Sequence, residues 1–159
     1  MVVMDNLQAL YERYQAATQA YAERSSAGQQ EWHQPDVVEF SELQNLLLPH
    51  AESGDMHCQY AIATILWGGL CCESEDDWMA GYPERIKEAT RWWIAAATQG
   101  HVYALDNLVT SGIGPEAERA REASDVLEQE RGDLVGASHG MPVYGPDFFA
   151  ELSRRLYGK

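Results

Sequence analysis

The sequence predicts an all-α fold, a solenoid built from antiparallel helix pairs. Apolar residues recur at steps of three and four along almost the whole chain, as expected of helices that bury one face. An internal repeat of 46 residues is the second observation, and helix pairs that stack on one another produce repeats of this kind. The residues related by this repeat are Gly54 and Gly100, Cys58 and Ala104, and Ile62 and Leu108.

The first three helices follow from apolar spacing and from proline and glycine signals. One helix is predicted over residues 4–24. A second begins near Pro35, and its apolar stripe runs to Pro49, where the missing N–H is expected to disturb the last turn. A third helix, over residues 55–67, ends at a Gly-Gly pair that supplies a C-terminal cap.

An acidic insert, residues 69–83, follows the third helix and is predicted to be a long loop. It holds the densest acidic cluster of the chain, just before Trp78: Glu73, Glu75, Asp76 and Asp77. Pro83 then lies where the first turn of a helix tolerates proline. The fourth helix begins there and closes at Gly100.

Three further helices are predicted in the C-terminal part of the chain. The fifth covers residues 101–111, and the sixth covers residues 115–131 with acidic residues in its first turn and Arg131 in its last. Residues 136–145 are predicted to be a loop. A final helix from Pro146 is expected to cover the open end of the stack.

Composition limits the classes of partner. The chain has 25 acidic and 11 basic residues, a formal charge of −14, which opposes binding to nucleic acid or to an anionic membrane. This negative charge either favours a basic partner or only keeps the protein in solution. A length of 159 residues with 45% apolar content fits one domain, 1–159. The odd number of cysteines and the absence of a secretion signal or a long apolar run predict a cytoplasmic protein.

Residues 37–114 contain the aromatic pair Trp92-Trp93, then Ala96-Ala97, Gly100-His101 and Ala104. With this pattern they resemble the Sel1-like repeat, a relative of the tetratricopeptide repeat. The resemblance rests on an aromatic pair followed by two alanines, then Gly-His, then alanine; small residues let helices approach while the aromatic rings fill the gap. The residues at repeat positions are Gly54, Cys58, Ile62, Ala89, Trp92, Trp93, Ala96, Ala97, Gly100, Ala104 and Leu108. The resemblance implies a structural role for them and a right-handed α-solenoid of about three helix pairs, with the C-terminal helices in residues 115–159.

The resemblance also implies a function. Sel1-like proteins are mostly adaptors, regulators and inhibitors that act through the inner surface of the superhelix, and some bacterial members look like immunity proteins. For this acidic chain we expect a non-catalytic protein-binding module, above all an inhibitor that neutralises a basic toxin or effector. A cytoplasmic adaptor or scaffold is the alternative. No cofactor, metal, nucleic acid or membrane is expected as a ligand, and the oligomeric state stays open.

Aromatic residues at helix ends and in the insert are candidate interface anchors. For each of these aromatic residues, burial against a neighbouring helix is a slightly stronger expectation than contact with a partner. The acidic cluster is expected to be solvated or to steer a basic protein, with Trp78 prolonging the complex. The predicted partner-binding residues are Trp67, Glu73, Glu75, Asp76, Asp77, Trp78, Tyr82 and Tyr103.

A hydrolase that uses Ser138 and His139 is the enzymatic alternative, because residues 136–140 fit the pattern G-x-S-x-G. A nucleophile elbow needs a strand before the serine and a helix after it, and the sequence predicts neither. The pattern is therefore interpreted as a chance match, and no catalytic residue is expected.

A zinc site is a second chemical alternative, since His57, Cys58, Cys71 and Cys72 are the right ligand types. Adjacent cysteines lack the usual C-x-x-C spacing, and Cys58 occupies a core position of the repeat. We therefore expect no metal. His101, which follows Gly100, is expected to be structural.

Overall fold

The computed structural model describes residues 2–26, 34–130, 135–138, 141–144 and 146–157, and helices dominate it. The predicted all-α class is confirmed, apart from one short hairpin. The helices in the described residues are α1 (Val2–Ser26), α2 (Gln34–Glu52), α3 (Met56–Gly68), α4 (Glu75–Gly81), α5 (Glu84–Ala97), α6 (Val102–Ser111), α7 (Pro115–Glu130) and α8 (Pro146–Tyr157). None of them is long and apolar enough to cross a membrane.

Helices that follow one another in the chain pack against one another. Helix α1 contacts α2, and α2 contacts α3. Helix α5, rather than the short α4, packs along α3 and then contacts α6, which leads to α7 and α8. Helix α4 has no buried residue and lies outside this series. The main stack is therefore continuous along the chain, with α4 as an addition to it.

The core runs through this series of helices. Trp93 of α5 and Phe40 of α2 are its largest side chains, with exposed fractions of 1% and 0%. Trp92 packs against the core but is only partly buried. The other repeat positions with side chains are buried: Cys58, Ile62, Ala89, Ala96, Ala97, Ala104 and Leu108. Small residues at five of these seven positions let helices approach closely, as the sequence pattern indicates.

The 46-residue repeat corresponds to a repeated turn. Gly54 follows α2 and Gly100 follows α5, with φ angles of 105° and 109° that only glycine adopts easily. In each turn the glycine N–H donates to the carbonyl three residues earlier, and the next N–H donates to the carbonyl five residues earlier. This is a Schellman motif, and it satisfies carbonyl groups that the helix end leaves open.

The residue after each of these glycines caps the next helix. The carboxylate of Asp55 accepts a hydrogen bond from the Cys58 N–H at 2.9 Å, at the start of α3. At the start of α6, Nδ1 of His101 accepts from the Ala104 N–H at 3.1 Å. His101 therefore has the expected structural role, and that role is to cap α6. Its imidazole must be neutral to accept this bond.

Ion pairs fix α1 against α2. Arg13 Nε donates to Glu39 Oε2 at 2.8 Å, and Arg24 Nε donates to Asp36 Oδ2 at 2.9 Å. The hydrogen bonds from Arg13 lower the pKa of the Glu39 carboxyl group. Because the two pairs are eleven residues apart on α1, they define its direction along α2.

The prediction that Pro49 disturbs α2 is wrong. Helix α2 continues past it to Glu52. Leu47 and Ala51, on either side of Pro49, are buried and hold this part of the helix in the core. Proline removes only one N–H, and this loss near a helix end costs less than the burial on both sides gains.

The prediction that residues 69–83 form a loop is also wrong, because α4 lies within them. Ser74 Oγ accepts from the Asp77 N–H at 3.1 Å, and Asp77 Oδ2 accepts from the Glu73 N–H at 3.0 Å. This reciprocal pair resembles a capping box. Glu75, Asp76 and Asp77 form the first turn, where the helix dipole favours negative charge.

Residues 136–145, predicted to be a loop, contain most of a hairpin. Strand β1 (Val135–Ser138) pairs antiparallel with β2 (Met141–Tyr144), with Ser138 opposite Met141. A strand therefore does precede Ser138, contrary to the prediction, but the next described element is a second strand and not the helix that a nucleophile elbow requires. His139 lies outside the described residues.

Replacing Gly54 by alanine tests the repeated turn. Nothing lies within 4 Å of the added Cβ, so any loss of stability reports the positive φ alone. We expect Gly54→Ala to lower the free energy of unfolding by about 1–2 kcal/mol in urea denaturation. Glu52→Ala, at an exposed position two residues earlier, is the control and should change it by less than about 0.5 kcal/mol. Equal stability of the two variants would contradict the role of the turn.

Candidate functional site

An apolar groove of about 550 Å³ lies between α1, α3, α4, α5 and α6, and we call it the groove. Its lining is mostly hydrocarbon and aromatic surface. A volume of this size falls in the usual range of sites that bury a ligand or an inserted side chain. Residues that form its walls are Thr18, Tyr21, Thr64, Trp67, Gly68, Leu70, Trp78, Tyr82, Ile86, Ser111 and Ile113.

Helical spacing places these residues on common faces. Thr18 and Tyr21 are three residues apart on α1, and Thr64 and Trp67 are three apart on α3. Residues at this spacing lie on one side of a helix. One face of α1 and one face of α3 therefore line the groove, together with Ser111 at the end of α6.

Trp78 forms the α4 side of the groove and is held firmly. The guanidinium carbon of Arg85 lies 5.0 Å from the centroid of the Trp78 ring. Arg85 also donates to the Trp78 carbonyl at 2.9 Å and to the Leu66 carbonyl at 2.7 Å, so it ties α4 to the C-terminal end of α3. A Cβ at position 69 would lie 2.3 Å from the Trp78 ring, so Gly69 is required for this approach.

Three of the four predicted aromatic anchors line the groove. Trp67 and Tyr82 are 46% and 48% exposed, and Trp78 is partly buried and stacks on Tyr82 with ring centroids 5.7 Å apart. Tyr103 is 58% exposed but does not line the groove. The expectation that burial prevails is therefore wrong for Trp67, Tyr82 and Tyr103.

The acidic cluster forms an exposed edge next to the groove. Glu73, Glu75, Asp76 and Asp77 are all exposed, and we call them the acidic edge. Glu75 lines a second cavity, of about 300 Å³, which shares the Trp78 wall with the groove. Glu75 therefore places negative charge beside the apolar lining of the groove. Asp77 also has the capping role described above.

A row of aromatic rings connects α1, α3 and α6. His57 lies between Tyr11 and His101, at centroid distances of 5.7 Å and 5.3 Å. The imidazole of His101 stacks on Tyr60 at 4.4 Å with an interplanar angle of 18°. Burial, and after it the proximity of His57, lowers the pKa of His101 to about 4. The row joins the three helices through one stacked contact, between Tyr60 and His101, and through edge-to-face contacts of His57 with Tyr11 and His101.

The candidate zinc ligands have other environments. Burial, and then the Asp55 carboxylate, raises the pKa of the Cys58 thiol to about 12, which disfavours the thiolate that metals bind. Cys71 Sγ donates to Gln44 Oε1 at 3.2 Å, and Cys72 is buried. In the part of the chain that the structure describes, no three His, Cys, Asp or Glu side chains are grouped for a metal.

Several groove residues were missed by the sequence analysis. Neither Tyr21, which lines the groove, nor Arg85, which holds Trp78 in place, was identified as a site residue from the sequence. The spacing of Thr64 and Trp67, a polar residue and an aromatic residue on one helical face, is a signal that was present in the sequence. The contact between Arg85 and Trp78 depends on the path of α4 and had no such signal.

Compared with protein families, with curated proteins and with solved structures, the chain gives no match.

The cap at His101 makes stability depend on pH. The folded chain holds His101 neutral down to about pH 4, whereas the unfolded chain takes up this proton near pH 6.5. The stability that depends on neutral His101 is therefore fully present above pH 6.5. It is lost as the pH falls towards 4, and the loss is on the order of 3 kcal/mol.

His101→Asn keeps a side-chain oxygen for the cap but does not titrate. We expect its free energy of unfolding, measured by urea denaturation from pH 7.5 to 5, to fall less steeply than that of the unchanged protein. His50→Asn, which alters a histidine outside the aromatic row, should leave the slope as it is. A parallel pH profile for His101→Asn would show that the cap is not the titrating contact.

Proposed function

We propose that this chain is a non-catalytic protein-binding module that inhibits a basic partner by holding an apolar segment of it in the groove. The observation that carries this proposal is the meeting of Trp67, Trp78 and Tyr82 in one concave, mostly apolar site. Large exposed aromatic side chains in a concave site are the usual anchors of tight interfaces.

The architecture supports the same function. We infer a right-handed solenoid related to the Sel1-like repeats, in which α1, α3 and α6 are the inner helices and α2, α5 and α7 the outer ones. The repeated turns at Gly54 and Gly100 give α3 and α6 equivalent starts. The groove residues Thr18, Tyr21, Thr64, Trp67 and Ser111 lie on these inner helices. An inner surface is where helical solenoids commonly hold macromolecules.

The partner's chemistry follows from the lining and its surroundings. Aliphatic or aromatic side chains fit the groove, and a net charge of −14 with the acidic edge nearby favours lysine and arginine around them. Attraction between opposite charges speeds the encounter, and burial of the apolar anchor slows dissociation. A basic toxin or effector in a bacterial cytoplasm has this chemistry, and one tight complex would block it.

Capture from the native host tests the class of partner. Tagged protein incubated with host lysate at low and moderate salt should retain one basic protein in equimolar amount, and that protein should be toxic when produced alone. Several partners bound together in substoichiometric amounts would instead favour the scaffold. An acidic partner, or a partner whose capture is insensitive to the groove variants below, would overturn the proposal.

Groove variants give the sharper test. Trp67→Ala and Tyr82→Ala each remove a half-exposed ring, so we expect each to weaken binding of the captured partner by roughly tenfold or more in calorimetry. Tyr103→Ala is the matched control, because it removes an equally exposed ring outside the groove. Its affinity should stay within about twofold, and an equal loss in all three variants would place the contact elsewhere.

The acidic edge should act on the association rate. In Glu75→Lys/Asp76→Lys, two charges beside the groove are reversed while the cap by Asp77 is kept. At low salt we expect the association rate constant to fall by about tenfold, with a smaller effect at high salt. Glu122→Lys/Asp125→Lys makes the same change at exposed positions of α7. If both double variants associate equally slowly, total charge and not this edge is responsible.

A further inference from the structure

The second cavity, of about 300 Å³, adjoins the groove but differs from it in character. The two share a wall formed by Tyr21, Gly68, Leu70 and Trp78. Polar and apolar groups contribute similar shares of the accessible surface in the second cavity, whereas the groove is mostly apolar. A partner segment with its apolar anchor in the groove therefore has a partly polar cavity directly beside that anchor.

Within the described part of the chain, two carboxylates and no cationic side chain line the second cavity. They belong to Asp36 of α2 and Glu75 of α4. Asp36 is already paired, since Arg24 Nε donates to its Oδ2 at 2.9 Å and Arg24 Nη2 contacts its Oδ1. The Glu75 side chain is exposed and makes no ion pair or hydrogen bond with any described residue. Its charge is therefore uncompensated by another side chain and accessible to a ligand.

Apolar side chains complete the second cavity. Val37, Leu70 and Met79 line it together with the ring of Trp78. Met79 is 59% exposed, so this apolar surface can be reached from solvent. The volume is large enough for one long side chain. An arginine fits such a lining, because its methylene groups pack on apolar surface and its guanidinium, which is weakly hydrated, stays charged beside it.

We propose that the second cavity binds the side chain of an arginine in the partner segment that occupies the groove. The methylene groups of this arginine pack on Leu70, Met79 and Trp78, and its guanidinium donates to the Glu75 carboxylate. The two groups match in geometry, so two parallel hydrogen bonds can form. An acidic side chain would be repelled by Glu75, and a neutral one would lack the attraction. This inference rests on the proposed function and places one basic residue next to the apolar anchor.

Contact with Glu75 has a different kinetic effect from steering by the acidic edge. Attraction at long range acts on the association rate, whereas an ion pair formed in the complex slows dissociation. Asp76 is the next residue and is also exposed, but it does not line the second cavity. Glu75→Gln and Asp76→Asn each remove one charge from the acidic edge, and only Glu75→Gln removes the proposed contact. The two variants are therefore a matched pair.

The first test uses phenylalkylguanidines with tethers of increasing length as probes, and phenylalkylureas of the same shape as neutral analogues. The phenyl group enters the groove, and a tether of suitable length brings the guanidinium to the second cavity. In NMR spectra, the indole N–H signal of Trp67 reports the groove and the methyl signal of Met79 the second cavity, because each residue lines only one of the two. We expect at least one guanidine to move both signals in a saturable way and to bind about fivefold more tightly than its urea.

The matched pair separates a contact from general charge. Glu75→Gln should weaken binding of this guanidine by about fivefold and leave binding of the urea as it is. Asp76→Asn should change the affinity for the guanidine by less than about twofold. With the captured partner, Glu75→Gln should raise the dissociation rate constant by about fivefold, whereas Asp76→Asn should leave that constant unchanged.

Three results would overturn the inference. One is a Met79 signal that no guanidine moves, since the second cavity would then stay empty. Another is equal affinity for guanidines and ureas at every tether length. The third is an equal loss in Glu75→Gln and Asp76→Asn, because net charge and not a contact would then be responsible. None of them touches the proposed function, because partner capture and the loss of affinity in Trp67→Ala do not require an arginine at this place.

Discussion

The geometry of the turns from α2 to α3 and from α5 to α6 is the constraint on which the rest of the structure depends. At Gly54 and at Gly100 the chain reverses with the same backbone hydrogen bonds, and the next residue caps the following helix at once. Both turns are of the same kind, so α3 and α6 start in the same way after α2 and α5. Without that regularity, the faces of α1, α3 and α6 would not meet to form a groove.

The acidic insert adds the wall of the groove that contains Trp78 and Tyr82. Helix α4 has no buried residue, so burial of apolar area contributes little to holding it. Instead, Arg85 binds carbonyl groups of α3 and α4 and stacks on Trp78. The tryptophan can approach only because residue 69 is glycine. A short polar connection at this place would have left Trp67 with open solvent on that side.

Much of the main stack could be predicted from the sequence, because burial of one helical face leaves a periodic signal. The starts at Pro35 and His101 and the turns at Gly54, Gly69 and Gly100 follow from local chemistry. The passage of α2 through Pro49 could not, since tertiary packing outweighs a local preference there. The hairpin has no strong alternation, and the exposure of Trp67 and Tyr82 depends on how distant helices are arranged.

The sequence indicated which residue types form the candidate site but not that these residues lie close together. Trp67, Trp78 and Tyr82 belong to two helices and a helix end, and only the path of the insert brings them to one groove. Tyr103, chosen on the same reasoning, lies outside it. The acidic cluster shows a further limit. From the sequence, its charge was expected to attract a partner, whereas in the structure Asp77 of the cluster also caps the start of α4 together with Ser74.

Among the residues that the structure describes, two buried donors have no partner, Arg85 Nη2 and Trp93 Nε1. Arg85 has five donors and spends others on two carbonyls, so one open N–H is the cost of a contact that already positions α4. Trp93 has one donor, and phenylalanine would fill a core position without an unpaired group. A tryptophan there costs stability unless its N–H is used. The large indole nevertheless fills this core position, and its ring centroid lies 6.3 Å from that of Trp67.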